Sequence, residues 1–137
     1  LLHAYLEGQN IELMANSDNV LRGGLTPKHI DIEELIQHIQ FEPTYPNVLK
    51  GDEINSFETQ FPCPVPDFGL TKIALSVGET YTNKTGSLEM FLVMQGSVVL
   101  NGIELGTGEL AAVKAESQYT IDQTGSETAV LFKSFVP

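Results

Sequence analysis

The feature that most constrains the fold is a series of short apolar runs between residues 68 and 137. Eight of them, rich in Val, Leu, Phe and Thr, fall at Phe68–Leu75, Glu79–Thr82, Ser87–Met94, Ser97–Leu100, Ile103–Leu105, Leu110–Val113, Tyr119–Asp122 and Thr128–Phe135. Glycine-containing turns separate them about every 8–12 residues, which is the spacing of strands in all-β domains. Between two of these runs stands Asn101-Gly102, a pair that tolerates positive φ at both centres of a tight hairpin. Eight short strands without a long helix leave a sandwich, a jelly roll or a small barrel.

The first half of the chain has a different texture. Residues 31–40 predict one short helix. Asp31 suits the N-cap and Glu34, three residues on, completes a capping-box pattern. Ile32, Leu35, Ile36 and Ile39 recur at helical spacing. Residues 41–67 hold five of the seven prolines and read as a connector, with room for one strand over Phe57–Phe61. Around Cys63, the segment PCPVP must be extended, because a residue preceding proline is pushed out of the helical region.

Composition removes several function classes. The 137 residues carry 18 acids against 7 Lys and Arg, a formal net charge of −11. That field repels phosphate backbones and anionic bilayers, so neither nucleic acid nor membrane is expected as a partner. A small phosphorylated ligand remains open, since one Arg or Lys overcomes the average field locally. The single Cys63 can make neither an internal disulfide nor a cysteine-rich metal site, and burial statistics predict a buried or half-buried thiol. The longest apolar run, around Met90 to Met94, is too short to span a bilayer, and no charged-then-apolar leader opens the chain, so a cytoplasmic location is expected. Residue 1 is Leu, which suggests a start after processing or partway along a longer protein.

Two stretches resemble a known family. Leu92-Val-Met-Gln-Gly-Ser-Val-Val-Leu, Asn101-Gly102 and Leu105-Gly-Thr-Gly-Glu-Leu-Ala-Ala-Val look like the middle of a cupin. Metal-binding cupins carry histidines and a glutamate on the first strands of that pattern. Here Thr85-Gly-Ser-Leu-Glu-Met-Phe-Leu-Val-Met has no His, and its lone Glu89 reads as an outward, solvated residue. More specific are His3-Ala-Tyr-Leu-Glu-Gly and the fifteen residues Met14-Ala-Asn-Ser-Asp-Asn-Val-Leu-Arg-Gly-Gly-Leu-Thr-Pro-Lys28. They closely resemble the segment that closes the active site of type I mannose-6-phosphate isomerases. Taken alone, these residues describe a polar turn, a Gly-Gly reversal and an arginine beside it. That arginine reads either as an anion site or as a surface pair with Asp18.

The resemblance implies a mainly β chain: a cupin-like jelly-roll barrel, a short N-terminal strand/loop segment and one short helix. It implies that residues 1–40 end a catalytic cupin domain, that 41–67 connect, and that 68–137 form a C-terminal barrel lacking metal ligands. It further implies a zinc-dependent interconversion of mannose 6-phosphate and fructose 6-phosphate through an enediol. Arg22 matches the catalytic arginine. Glu12, Asp18 and Lys28 match substrate-binding positions, and His3 matches one Zn²⁺ ligand. The remaining ligands would come from an N-terminal part of the same protein, without which the fragment is expected to be inactive. Tyr5 is expected to pack, and His29 and His38 match no ligand position. The competing reading is a free-standing, non-catalytic cupin-like binding module, which the missing histidines favour for residues 68–137.

Overall fold

A computed structural model describes residues 5–16, 20–43 and 45–137. The chain divides into two compact units, Leu1–Asn47 and Val48–Pro137.

In the first unit the regular element is helix α1, Ile32–His38. The Asp31 carboxylate accepts the Glu34 N–H at 3.0 Å, and the Asp31 carbonyl accepts the Leu35 N–H at 3.0 Å. Ile39 turns to extended backbone and ends the helix. Glu33 and Glu34 in the first turn and His38 in the last suit the helix dipole. The apolar positions take the expected helical spacing, yet no residue of α1 is buried, and Ile32 is 63% exposed. Residues 5–16 and 20–31 are loops, without a strand among them. Tyr5 is largely exposed.

The second unit contains ten strands among the described residues: β1 (Asp52–Glu53), β2 (Glu58–Phe61), β3 (Gly69–Leu75), β4 (Thr80–Lys84), β5 (Glu89–Gln95), β6 (Ser97–Leu100), β7 (Ile103–Gly106), β8 (Leu110–Val113), β9 (Gln118–Gln123) and β10 (Ala129–Phe135). They pair antiparallel into a six-stranded sheet, β1-β2-β3-β10-β5-β8, and a four-stranded sheet, β4-β9-β6-β7. The architecture is mainly β and cupin-like, with two sheets rather than a closed barrel. All eight expected strands after residue 68 form. The one expected in the connector is β2, and β1 joins it at the sheet edge. The Asn101-Gly102 hairpin also forms, with φ of 48° and 83°. Asn101 ties it to β9 by accepting the Thr120 N–H at 2.9 Å.

Period-2 alternation decides which side chains face inward. Thr71, Ile73 and Leu75 of β3, Glu89, Phe91 and Val93 of β5, and Ala129, Leu131 and Lys133 of β10 are buried on one sheet. From the other sheet come Tyr81, Val98, Leu100, Leu105, Tyr119 and Ile121. An edge-on pair joins the two layers, with the Phe91 and Tyr119 rings centred 5.0 Å apart, and Tyr81 meets Tyr119 edge-on within the smaller sheet at 6.1 Å. The Phe135 ring packs against Gly69, where an added Cβ would meet it at 2.5 Å.

Two expectations fail here. Cys63 is free and exposed. Its neighbours Pro62 and Pro64 lack the N–H groups that would pair it into a sheet, so the segment runs outside both layers. Glu89 is not an outward residue but is 6% exposed. It shares a face with Phe91 and Val93, and register overrides the usual preference of a lone carboxylate for water.

Candidate functional site

The loop preceding α1 carries the resemblance, and local chemistry fixes its course. Gly24 has φ +78°, a conformation that other residues adopt only with strain. The Thr26 hydroxyl accepts the Lys28 N–H at 3.3 Å across Pro27. Arg22, immediately before the Gly-Gly reversal, is half-buried.

This loop and α1 enclose a cleft of about 610 Å³. Its polar wall is Arg22, His29, Asp31, Glu34 and His38; Val20 and Leu21 supply the apolar wall. Within it Glu34 Oε1 and His38 Nε2 meet at 2.9 Å, one helical turn apart. A half-buried guanidinium at such a wall presents a planar fork of donors suited to a phosphate or to oxygens acquiring negative charge.

Of the sequence-derived candidates, Arg22 lines the cleft, while Glu12 and Lys28 are exposed and do not line it. His3 and Asp18 lie outside the described residues. The cleft instead gathers His29 and His38, for which the sequence offered no role. The Glu34/His38 spacing of four on a capped helix was a legible sign that those two side chains meet. Among the described residues no group of three or more His, Cys, Asp or Glu is placed to hold a metal.

A second polar cluster lies between the two sheets. Lys133 Nζ is 2.5 Å from Glu58 Oε1, with both side chains nearly inaccessible. Asn55 donates to the other Glu58 oxygen at 2.9 Å. Nearby, Thr71 Oγ1, Glu89 Oε2 and the Tyr119 hydroxyl are buried without a hydrogen-bond partner. Burial, then the Glu58 charge, pushes the Tyr81 hydroxyl up to about 12. Tyr119 is raised further, mainly by burial. Burial also raises Glu89, against the opposing pull of Lys133.

No family model matches the chain. Curated relatives do. The mannose-6-phosphate isomerase of Escherichia coli (strain K12) is 41% identical over 128 residues, covering 90% of this chain and 33% of that protein. Its counterpart in Salmonella typhimurium is 43% identical over 129 residues, with the same coverage. Among solved structures, the Salmonella typhimurium mannose 6-phosphate isomerase bound to substrate and a zinc atom superposes with a TM-score of 0.73 at 35% identity, covering 90% of this chain and 32% of that one. The chain thus spans about a third of the length of the relatives it matches. By sequence and by fold, it is homologous to the C-terminal portion of type I mannose-6-phosphate isomerase.

Proposed function

We propose that the chain is part of a zinc-dependent aldose–ketose isomerase that interconverts mannose 6-phosphate and fructose 6-phosphate, acting in the cytoplasm and only together with the rest of its protein. The observation that carries this is the half-buried Arg22 in its cleft, in a chain aligned over 90% of its length with the Escherichia coli isomerase. In this reading residues 1–40 end the catalytic domain, 41–67 connect, and 68–137 form a cupin-like unit without metal ligands. The reaction carries a proton between C1 and C2 of the sugar, and negative charge develops on the neighbouring oxygens. Arg22 stabilises that enediolate by directed hydrogen bonds from a fixed cation. Lys28 pairs with the substrate phosphate, and Glu12 and Asp18 bind sugar hydroxyls.

His3 is the chain's contribution to the zinc site. A tetrahedral site needs about four donors, and the described residues bring no such group together. The described residues alone therefore do not make a zinc site. The first unit supports dependence on further polypeptide, because Leu6, Met14, Leu25, Ile32 and Ile36 are all exposed. No helix among the described residues is long and apolar enough to cross a membrane.

The test joins this chain to the preceding two-thirds of the Escherichia coli relative and assays isomerisation of mannose 6-phosphate. The chimera is expected to turn over, and Arg22→Ala to lower kcat by about 10²–10³-fold, as removal of one transition-state donor does elsewhere. The chain alone is expected to show neither turnover nor tight zinc binding by calorimetry. Turnover by the isolated chain, or an unimpaired Arg22→Ala chimera, would refute the proposal.

A further inference from the structure

We propose that the interior of the second unit is a proton-binding site: Glu89 takes up one proton as the two sheets close, and the resulting neutral acid is held beside Tyr119 and the Glu58–Lys133 pair. The argument is one of charge counting. Three carboxyl or amino side chains are enclosed there, with Glu58 3%, Glu89 6% and Lys133 6% exposed. Two are acids, and only one is a cation.

Lys133 is already committed. Its ammonium sits on one oxygen of Glu58 while Asn55 occupies the other. Glu89 Oε2 has no partner. Among the described residues, the groups acting on Glu89 are Lys133 from β10, Tyr119 from β9, Glu58 from β2 and the backbone at Gly86, with Val113 of β8 its partner in register. None of these is a second cation. Lys114, near the end of β8, bonds into the unit only through its backbone carbonyl and its side chain is exposed. An ionised Glu89 would thus be a surplus negative charge at a buried position, more costly than a neutral acid. Protonation removes the surplus and sets a donor beside the Tyr119 hydroxyl oxygen.

The direction of the Glu89 shift agrees, with burial its largest cause. A carboxyl whose folded pKa lies above its unfolded value contributes stability that is complete below the unfolded pKa. That stability is lost as pH rises through the folded one. Within that window the folding equilibrium constant falls about tenfold per pH unit on account of Glu89 alone.

The test is equilibrium unfolding of the chain and of Glu89→Gln as a function of pH, from the ordinary carboxylate range upward. Glutamine mimics the neutral acid. The variant is expected to stay folded and to gain on the parent chain by up to about tenfold in folding constant per pH unit on the alkaline side. A constant ratio of the two across pH would overturn the proposal. The unsubstituted chain gives an independent reading: carboxyl-carbon NMR should show one glutamate still protonated where the others have titrated. A spectrum in which every glutamate titrates in the ordinary range would sink it even if the variant fails to fold.

Discussion

Replacing Lys133 by Met tests how the interior of the second unit is held together. Methionine matches the length of the lysine stem and keeps its packing against β3 and β5, so the change removes mainly the ammonium. What remains is the Glu58 carboxylate, 3% exposed, bonded by Asn55 and with the Tyr81 hydroxyl beside it. Breaking a buried ion pair from one side costs about 3–5 kcal/mol, because the surviving charge keeps its desolvation penalty and loses its compensation. Against a typical total of about 5–15 kcal/mol, that is a large fraction. For a unit of this size each kcal/mol moves the melting temperature by about 4–8 °C, so a fall of more than ten degrees is expected. Glu58→Gln should cost less, because Lys133 can then turn to Glu89, with which it already interacts. The double variant Lys133→Met/Glu58→Gln should recover part of the loss, since no charge is left stranded at Glu58. Urea unfolding followed by far-UV circular dichroism measures all three. A cost below about 1 kcal/mol for Lys133→Met, or an equal cost for Glu58→Gln, would refute this account of the pair.

Two further outcomes follow from local geometry. Gly69→Ala places a methyl 2.5 Å from the Phe135 ring and should destabilise by about 1–3 kcal/mol in the same unfolding assay, with Phe135→Ala in the same chain relieving the clash. Tyr81, raised to about 12 by burial and by Glu58, holds its proton more tightly folded than unfolded. Its contribution to stability is therefore complete below about pH 10 and lost as pH rises toward about 12. Tyr81→Phe should abolish that part of the alkaline decline, and the phenolate absorbance missing in the variant should be the part that appears near pH 12.

The β half of the molecule was readable because its signals were local and agreed with one another. Alternation, glycine spacing and Asn101-Gly102 all pointed to the same strands, and β6 and β8 have the expected ends. The capped helix was equally legible from Asp31 and Glu34. What the sequence hid was register. Glu89 carries no mark that the register would place it on the buried face it shares with Phe91. β1, made of Asp52 and Glu53, has no strand propensity of its own and forms only because β2 offers an edge. Cys63 defied a burial statistic because two prolines outrank the preference of a thiol for the interior. At the candidate site, Arg22 was found from a motif, whereas His29 reaches the same cleft through the loop's course, which no residue pattern spells out.

The position of β10 bears on how such a polypeptide is made. It is the last of the ten described strands to be synthesised, yet it lies between β3 and β5 in the larger sheet and pairs with both. A ribosome must therefore release residues 129–135 before that sheet can be assembled at all. Until then β1-β2-β3 and β5-β8 wait as two separate ribbons with open edges, the form in which nascent β proteins most depend on holding chaperones. A premature stop between β9 and β10 would leave them in that state permanently.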